Sequence, residues 1–138
     1  IGKCMVKGFG LKQGAVAQSI AHDTHNITYI GSNLKDIAIA MNRVKEIGGG
    51  LVLVNNGRVI DELALPVGGL MTDELTGSEV GQKVADLENL FKTQLGGSLH
   101  APFMHLSFLA LSTSPEWKIT DQGLVDVNNF EVLDPVVR

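Results

Sequence analysis

The sequence has little of what marks several protein classes. It contains one cysteine, Cys4, so it forms no internal disulfide, which suits a reducing compartment such as the cytoplasm. Aromatic residues make up 5% of the chain, so its core must come mainly from aliphatic side chains. No two Lys or Arg residues are adjacent and the formal charge is −4, which argues against nucleic-acid and membrane-surface partners. No apolar stretch approaches the roughly 20 residues that span a bilayer.

Catalytic motifs that can be recognised by spacing alone are also missing. The chain has no Gly-x-Ser-x-Gly, His-Glu-x-x-His or Gly-Lys-Ser/Thr element. Gly8-Phe9-Gly10 resembles half of a phosphate-binding loop, but without a third glycine and a following helix it predicts a turn. Cys4 has no neighbouring base that would lower the pKa of its thiol, so a nucleophilic role is disfavoured.

The first residue is isoleucine, and the pattern from Gly2 to Val6 is typical of the beginning of a strand. A chain that opens inside secondary structure suggests a domain excised from a longer protein. Simple trimming or processing of a short tag is the alternative.

Apolar periodicity predicts one α+β domain over residues 1–138. We expect two layers, a mostly antiparallel sheet packed by two main amphipathic helices. The predicted strands cover residues 11–20, 27–30, 51–54 and 58–65, and Asn56-Gly57 predicts a hairpin turn between the last two. Residues 124–127 and 130–133 predict a short final hairpin around Asn128-Asn129.

Two helices are predicted by apolar residues three and four apart. The first follows the N-cap Asn33 and ends at Gly48, with its apolar stripe on Leu34, Ile37, Ala38, Met41, Val44 and Ile47 and with Asp36 on its charged side. The second is capped by Thr76 or Ser78 and runs to about Gln94, before Gly96-Gly97. For residues 103–111 the pattern does not separate a helix from a buried strand.

The most promising site is the polar cluster of His22, Asp23, Thr24, His25 and Asn26, between two predicted strands. Two imidazoles and a carboxylate can hydrogen-bond a heterocycle, move protons or ligate a metal. His-x-x-His spacing in an extended segment sends the two rings to opposite faces, which disfavours metal binding. The alternative is structural, with Asp23 and Asn26 bonding the backbone of a sharp turn.

Other polar groups have structural explanations. His105 and Ser107 interrupt an apolar run and would need partners if buried. Asp73 and Glu74 are explained by the positive end of a following helix. Gly68-Gly69 favours a tight turn over a close approach to a ligand.

An ordered set of segments resembles the C-terminal domain of bacterial adenine deaminases, members of the amidohydrolase superfamily. The segments are Gly8–Leu11, Gly14–Ala17, Ala21–Asn26, Asn42-Arg43, Gly48–Val52, Pro66–Thr72, Pro102–Leu111 and Thr120–Leu124. The resemblance covers nearly the whole chain.

The resemblance implies hydrolysis of adenine to hypoxanthine and ammonia in purine salvage. In that superfamily Mn²⁺ or Fe²⁺ sits at the mouth of a (β/α)₈ barrel and activates the attacking water. Its ligands include a His-x-His pair, which this sequence lacks, and the chain is shorter than the roughly 250 residues of such a barrel. We therefore expect the metal on an upstream barrel domain, no metal in this fragment, and no deaminase activity from the fragment alone.

Three functions follow for the chain itself. It is expected to close or support the barrel's active site, with His22, Asp23, His25 and Asn26 facing the purine. The second possibility is a packing or oligomerisation module without substrate contact, and the parent enzyme is expected to be a homo-oligomer. The third is an autonomous domain that binds a small ligand.

Overall fold

The computed structural model describes residues 1–134. Four strands form an antiparallel sheet in the order β2-β1-β3-β4: β1 (Ala15–Gln18), β2 (Thr28–Gly31), β3 (Gly50–Asn55) and β4 (Arg58–Ala64). Three helices accompany it: α1 (Leu34–Glu46), α2 (Gly77–Gln94) and α3 (Pro102–Phe108). A separate antiparallel sheet contains β5 (Trp117–Thr120), β6 (Gly123–Asp126) and β7 (Glu131–Leu133). The predicted α+β class is confirmed.

The two central strands, β1 and β3, are buried on both faces. Ala15, Ala17, Val52 and Val54 pack with Ala40 and Val44 of α1. Alternate residues of the same strands, among them Val16, Leu51 and Leu53, pack with Leu87 and Phe91 of α2 and with Phe103 of α3. Because successive side chains of a strand point to opposite faces, the helices cover opposite sides of the sheet. This part of the domain therefore has three layers, where the sequence analysis expected two.

Helix α1 begins and ends where the sequence predicts. The Asn33 side chain accepts a hydrogen bond from the Asp36 backbone N–H at 2.9 Å, and Gly48 follows the helix with φ of 78°. Its buried side was predicted in part wrongly, because Leu34 is 84% exposed whereas Asp36 is 3% exposed. The Asp36 carboxylate accepts hydrogen bonds from Gly57 N–H at 2.7 Å and from the Asn33 side chain, which satisfies it in place of water.

The predicted hairpin between β3 and β4 is confirmed. Asn56 and Gly57 have φ of 52° and 76°, and two consecutive positive values identify a type I′ turn. The bond from Gly57 N–H to Asp36 fixes this turn against α1.

Helix α2 is capped by Thr76, one of the two predicted residues. Thr76 and Glu79 form a reciprocal capping box, and Leu87 and Phe91 are the buried residues of the helix. Asp73 and Glu74 lie before the N-cap and outside the helix. The acidic residue in the first turn of α2 is Glu79. Gly97 lies against the Phe91 ring, where an added Cβ would come within 2.0 Å of a ring carbon.

The N-terminal residues and the segments after α2 were predicted with unequal success. Residues 2–6 form no strand; Met5 is fully exposed, and a strand without a buried face gains little from pairing. The predicted final hairpin is present as β6 and β7, with β5 added at the edge. Of residues 103–111, whose pattern did not separate a helix from a strand, residues 103–108 belong to the helix α3.

The antiparallel order brings three connections to one end of the four-stranded sheet. Residues 19–27 connect β1 to β2, residues 47–49 lead into β3, and residues 65–71 follow β4. The opposite end contains the type I′ turn and the cap of α1. The candidate site residues therefore lie at the end of the sheet that carries the longer connections.

Candidate functional site

The loop of residues 19–27 carries the predicted site residues. The His25 backbone N–H donates to the Ala21 carbonyl at 2.7 Å, and His25 has a left-handed φ of 49°. This closed turn exposes Asp23, Thr24, His25 and Asn26, while His22 is half-buried. The loop therefore presents its polar side chains outward from a rigid sheet.

His22 is fixed by an aromatic contact that the sequence did not indicate. Its ring lies 5.0 Å from the ring of Phe108, centroid to centroid, with the planes tilted by 55°. Such contacts contribute roughly 0.5–1.5 kcal/mol beyond the buried area. Helix α3 thus holds one histidine of the cluster in a defined position.

Two polar residues at the end of β1 fix the base of the loop. Gln18 is fully buried, and its amide nitrogen donates to the carbonyls of Ile20 at 2.6 Å and Phe103 at 3.0 Å. Ser19 donates its hydroxyl to the Gly69 carbonyl and accepts from Gly50 N–H at 2.8 Å. The loop, α3 and the 65–71 connection are therefore tied to one strand end. The sequence analysis did not single out Gln18 and Ser19. The available signal was their polar character directly after the apolar residues of β1.

The 65–71 connection turns back next to Ser19. Gly68 and Gly69 have φ of 67° and 74°, and Val67 and Met71 form an isolated antiparallel bridge. A Cβ on Gly49 would approach the Gly69 Cα to 2.4 Å, so the two backbones are in close contact. The predicted tight turn is confirmed.

The site residues other than His22 have no side-chain partners within residues 1–134. Asp23, His25 and Asn26 form no side-chain hydrogen bond or ion pair there, so the backbone-bonding role considered for Asp23 and Asn26 is not observed. Their donors and acceptors face solvent and are free to meet a ligand or another surface. Imidazole and amide groups both donate and accept, and the carboxylate accepts, which is the set needed to recognise the edge of a purine.

The described residues do not fit a metal centre. No group of three or more His, Cys, Asp or Glu side chains within residues 1–134 is placed to hold an ion. Cys4 is exposed at its surface, and partial desolvation by neighbouring atoms raises the pKa of its thiol, the direction opposite to nucleophilic activation.

Two clefts of the described residues are lined by other parts of the chain. One of about 390 Å³ is lined by Glu62 of β4, by Thr72 of the connection that follows β4, and by Lys83 of α2. A smaller one of about 130 Å³ lies at Gly8–Leu11 and Ile30–Ser32. Neither of these two clefts is lined by a residue of the histidine cluster.

The two polar residues of α3 have different environments. Ser107 is buried and donates to the Met104 carbonyl at 2.8 Å, as expected for a core hydroxyl. His105 is exposed, and its Nδ1 lies 3.0 Å from the Ala101 carbonyl.

None of the helices within residues 1–134 combines the length and apolarity that crossing a membrane requires.

Comparison with known proteins decides the family. Residues 1–131 match the family described as adenine deaminase C-terminal domain. The chain belongs to this family. It is 60% identical over 136 residues to adenine deaminase 1 of Carboxydothermus hydrogenoformans, which covers 99% of this chain and 23% of that protein.

Two further proteins named adenine deaminase are similar to this chain. The adenine deaminase of Kosmotoga olearia is 50% identical over 127 residues, 91% of this chain and 22% of its own length. That of Methanococcoides burtonii is 40% identical over 136 residues, 99% of this chain and 23% of its own length. The chain therefore spans less than a quarter of these relatives.

Proposed function

We propose that this chain is the C-terminal domain of a metal-dependent adenine deaminase of purine salvage. The supporting observation is the similarity to named adenine deaminases over nearly the whole chain, 60% identity in one case. In the reaction, a water oxygen bonds to C6 of adenine and the bond from C6 to the exocyclic nitrogen breaks. One water proton leaves with that nitrogen as ammonia, and the other stays on hypoxanthine. The domain closes or supports an active site on a barrel domain outside this chain.

The Mn²⁺ or Fe²⁺ implied by the resemblance belongs to that barrel. Within residues 1–134 no group of three or more His, Cys, Asp or Glu side chains could hold a metal ion, so we assign no catalytic step of this chain to one. The contribution proposed for this chain is to orient and enclose the purine through His22, Asp23, His25 and Asn26. The exposure of Asp23, His25 and Asn26 supports this assignment, as does the lack of side-chain hydrogen bonds from these residues within residues 1–134.

The proposal is tested by comparing the intact gene product with the 138-residue chain. Supplied with Mn²⁺, the intact protein should convert adenine to hypoxanthine with one ammonia per turnover, followed by ultraviolet absorbance and a coupled ammonia assay. The 138-residue chain should release none, because no group of three or more potential metal ligands lies together within residues 1–134. Circular dichroism of the chain verifies that it is folded in the assay.

Two outcomes would contradict the proposal. Deamination by the 138-residue chain would place the reactive centre within it, and an intact protein inactive on adenine but active on another purine would change the substrate.

A second candidate, a packing module without substrate contact, is favoured by exposed apolar residues. Val67, Met71 and Phe108 are 42%, 60% and 44% exposed. Under this function, substitutions in the histidine cluster would leave turnover unchanged. The homo-oligomer expected for the parent enzyme stays a prediction, for which sedimentation of the intact protein is the measurement.

A further inference from the structure

Gln18, the last residue of β1, is a fully buried amide beside the apolar core. Its side chain lies on the same face of the sheet as that of Val16, because residues two apart in a strand point the same way. Val16 packs there with Phe103 of α3. An apolar side chain of similar volume would fill this space without the cost of burying an amide. What the amide adds is therefore the direction of its hydrogen bonds.

The two hydrogen bonds of this amide reach the two segments that form the contact between His22 and Phe108. The Gln18 nitrogen donates at 2.6 Å to the carbonyl of Ile20, two residues before His22. It also donates at 3.0 Å to the carbonyl of Phe103, near the beginning of α3. At the other end of α3, the Phe108 ring lies 5.0 Å from the His22 ring, centroid to centroid. One side chain thus joins the histidine loop to the helix that holds its histidine.

Within residues 1–134 the Gln18 amide acts only as a donor. Its oxygen, Oε1, is buried and accepts no hydrogen bond there. The next residue, Ser19, donates to the Gly69 carbonyl and so fixes a different segment, the 65–71 connection. Gln18 is therefore the residue of this strand end that ties the histidine loop to α3, and removing its two donors tests that role.

We propose that Gln18 is a positioning residue for His22. Its amide holds the loop and α3 in one arrangement and so sets where the imidazole meets the purine. The inference rests on the proposed function, in which His22 contacts adenine, and it names the residue that orients that contact. Gln18 is itself fully buried and acts only through His22. Misplacement of a group at an active site by about 1 Å can cost on the order of 100-fold in rate, so a buried bond behind the group affects turnover.

The first measurement is the placement of the His22 ring, by NMR of the histidine-labelled 138-residue chain, with folding checked by circular dichroism. The ring current of Phe108 displaces the His22 ring protons, and Phe108→Leu, which removes the ring, gives the size of that displacement. We expect Gln18→Met to lose at least half of it. Asp36→Ala is the matched control, because it also removes the hydrogen bonds of a buried polar residue, at the opposite end of the sheet. It should retain the full displacement.

The second measurement is a double-mutant cycle on kcat/KM for adenine in the intact enzyme. With wild-type His22, Gln18→Met should lower kcat/KM on the order of fivefold, because the imidazole is no longer held in place. In the His22→Phe background it should have no effect, since a residue that acts through the imidazole loses its influence once the imidazole is gone. The melting temperature should fall equally in both backgrounds. Asp36→Ala should lower the melting temperature and leave kcat/KM unchanged.

Three results would overturn the positioning role. They are an unchanged His22 ring displacement in Gln18→Met, an unchanged kcat/KM in Gln18→Met with wild-type His22, and an equal loss of kcat/KM in both backgrounds. If Gln18→Met does not fold, Gln18→Glu is held to the same criteria, because it keeps the length of the side chain and offers at most one donor proton in place of two.

The two measurements also separate this inference from the proposed function. An active deaminase in which Gln18→Met changes neither measurement refutes the positioning role and leaves the proposed function intact. If the intact protein is inactive on adenine while Gln18→Met still loses the ring displacement, the proposed function fails and the placement of His22 by Gln18 stands.

Discussion

At the scale of single residues, His22 has two separable properties. Its ring packs on Phe108, and its nitrogens are available for hydrogen bonding. A structural role needs only the ring, whereas a role at the purine needs the nitrogens. Phenylalanine retains the first property and removes the second.

We predict that His22→Phe and His22→Ala lower kcat/KM for adenine in the intact enzyme by comparable factors. The expected loss is on the order of tenfold, which corresponds to about 1.4 kcal/mol of lost transition-state stabilisation. Thermal unfolding should show that only the alanine variant loses stability. His100→Ala, at an exposed histidine outside the cluster, is the control. Wild-type kcat/KM in His22→Phe would show that the ring alone matters.

The residue types predicted the caps of α1 and the β3–β4 hairpin turn. They did not predict which distant residues would contact Asp36 and His22. Asn33, Gly48 and Asn56-Gly57 act through local backbone geometry, which the sequence contains directly. Asp36 is buried because Gly57, distant in sequence, donates to it, and no helical periodicity carries that information. His22 could be named from its neighbours, whereas its contact with Phe108 depends on how α3 packs.

At the scale of elements, the N-terminus of α2 depends on an ionised carboxylate. Glu79 accepts hydrogen bonds from the Thr76 N–H at 2.8 Å and from its hydroxyl at 2.7 Å, and these bonds lower the pKa of Glu79. A carboxyl whose pKa falls on folding contributes stability that is complete above its ordinary pKa. That contribution is lost as the pH drops through the lowered value.

We predict that acidification loosens the first turn of α2 below the ordinary glutamate pKa. In an NMR titration the Glu79 carboxyl and the Thr76 amide should change with one shared midpoint. Glu79→Gln should abolish the pH dependence of the Thr76 amide, because glutamine can still cap the helix but does not titrate. Glu88→Gln in the same helix is the control. A Thr76 amide that is insensitive to pH in the wild type would refute the coupling.

The elements differ in how far their patterns predict them. Apolar residues three and four apart predicted helix α2, and its Leu87 and Phe91 are fully buried. The short α3 has seven residues, about two turns, so periodicity did not separate it from a strand. A strand that is covered on both faces shows no alternation of apolar and polar residues. The continuous apolar run from Leu51 to Val54 therefore already indicated three layers.

At the scale of the whole molecule, the two sheets are buried to different extents. Every residue of β1 is fully buried, whereas every residue of β5, β6 and β7 is at least partly exposed. Regions with few buried apolar groups open locally at lower free energy than the core. The smaller sheet should therefore open without unfolding of the four-stranded sheet.

We predict two classes of amide in native-state hydrogen exchange of the 138-residue chain. Amides of β1 and β3 should exchange only through global unfolding, and those of β6, the central strand of the smaller sheet, through local opening. Leu87→Ala removes a fully buried side chain at a cost of about 2–5 kcal/mol. It should accelerate exchange in β1 and β3 and leave β6 unchanged. Equal acceleration of all three strands would show instead that the domain opens as one cooperative unit.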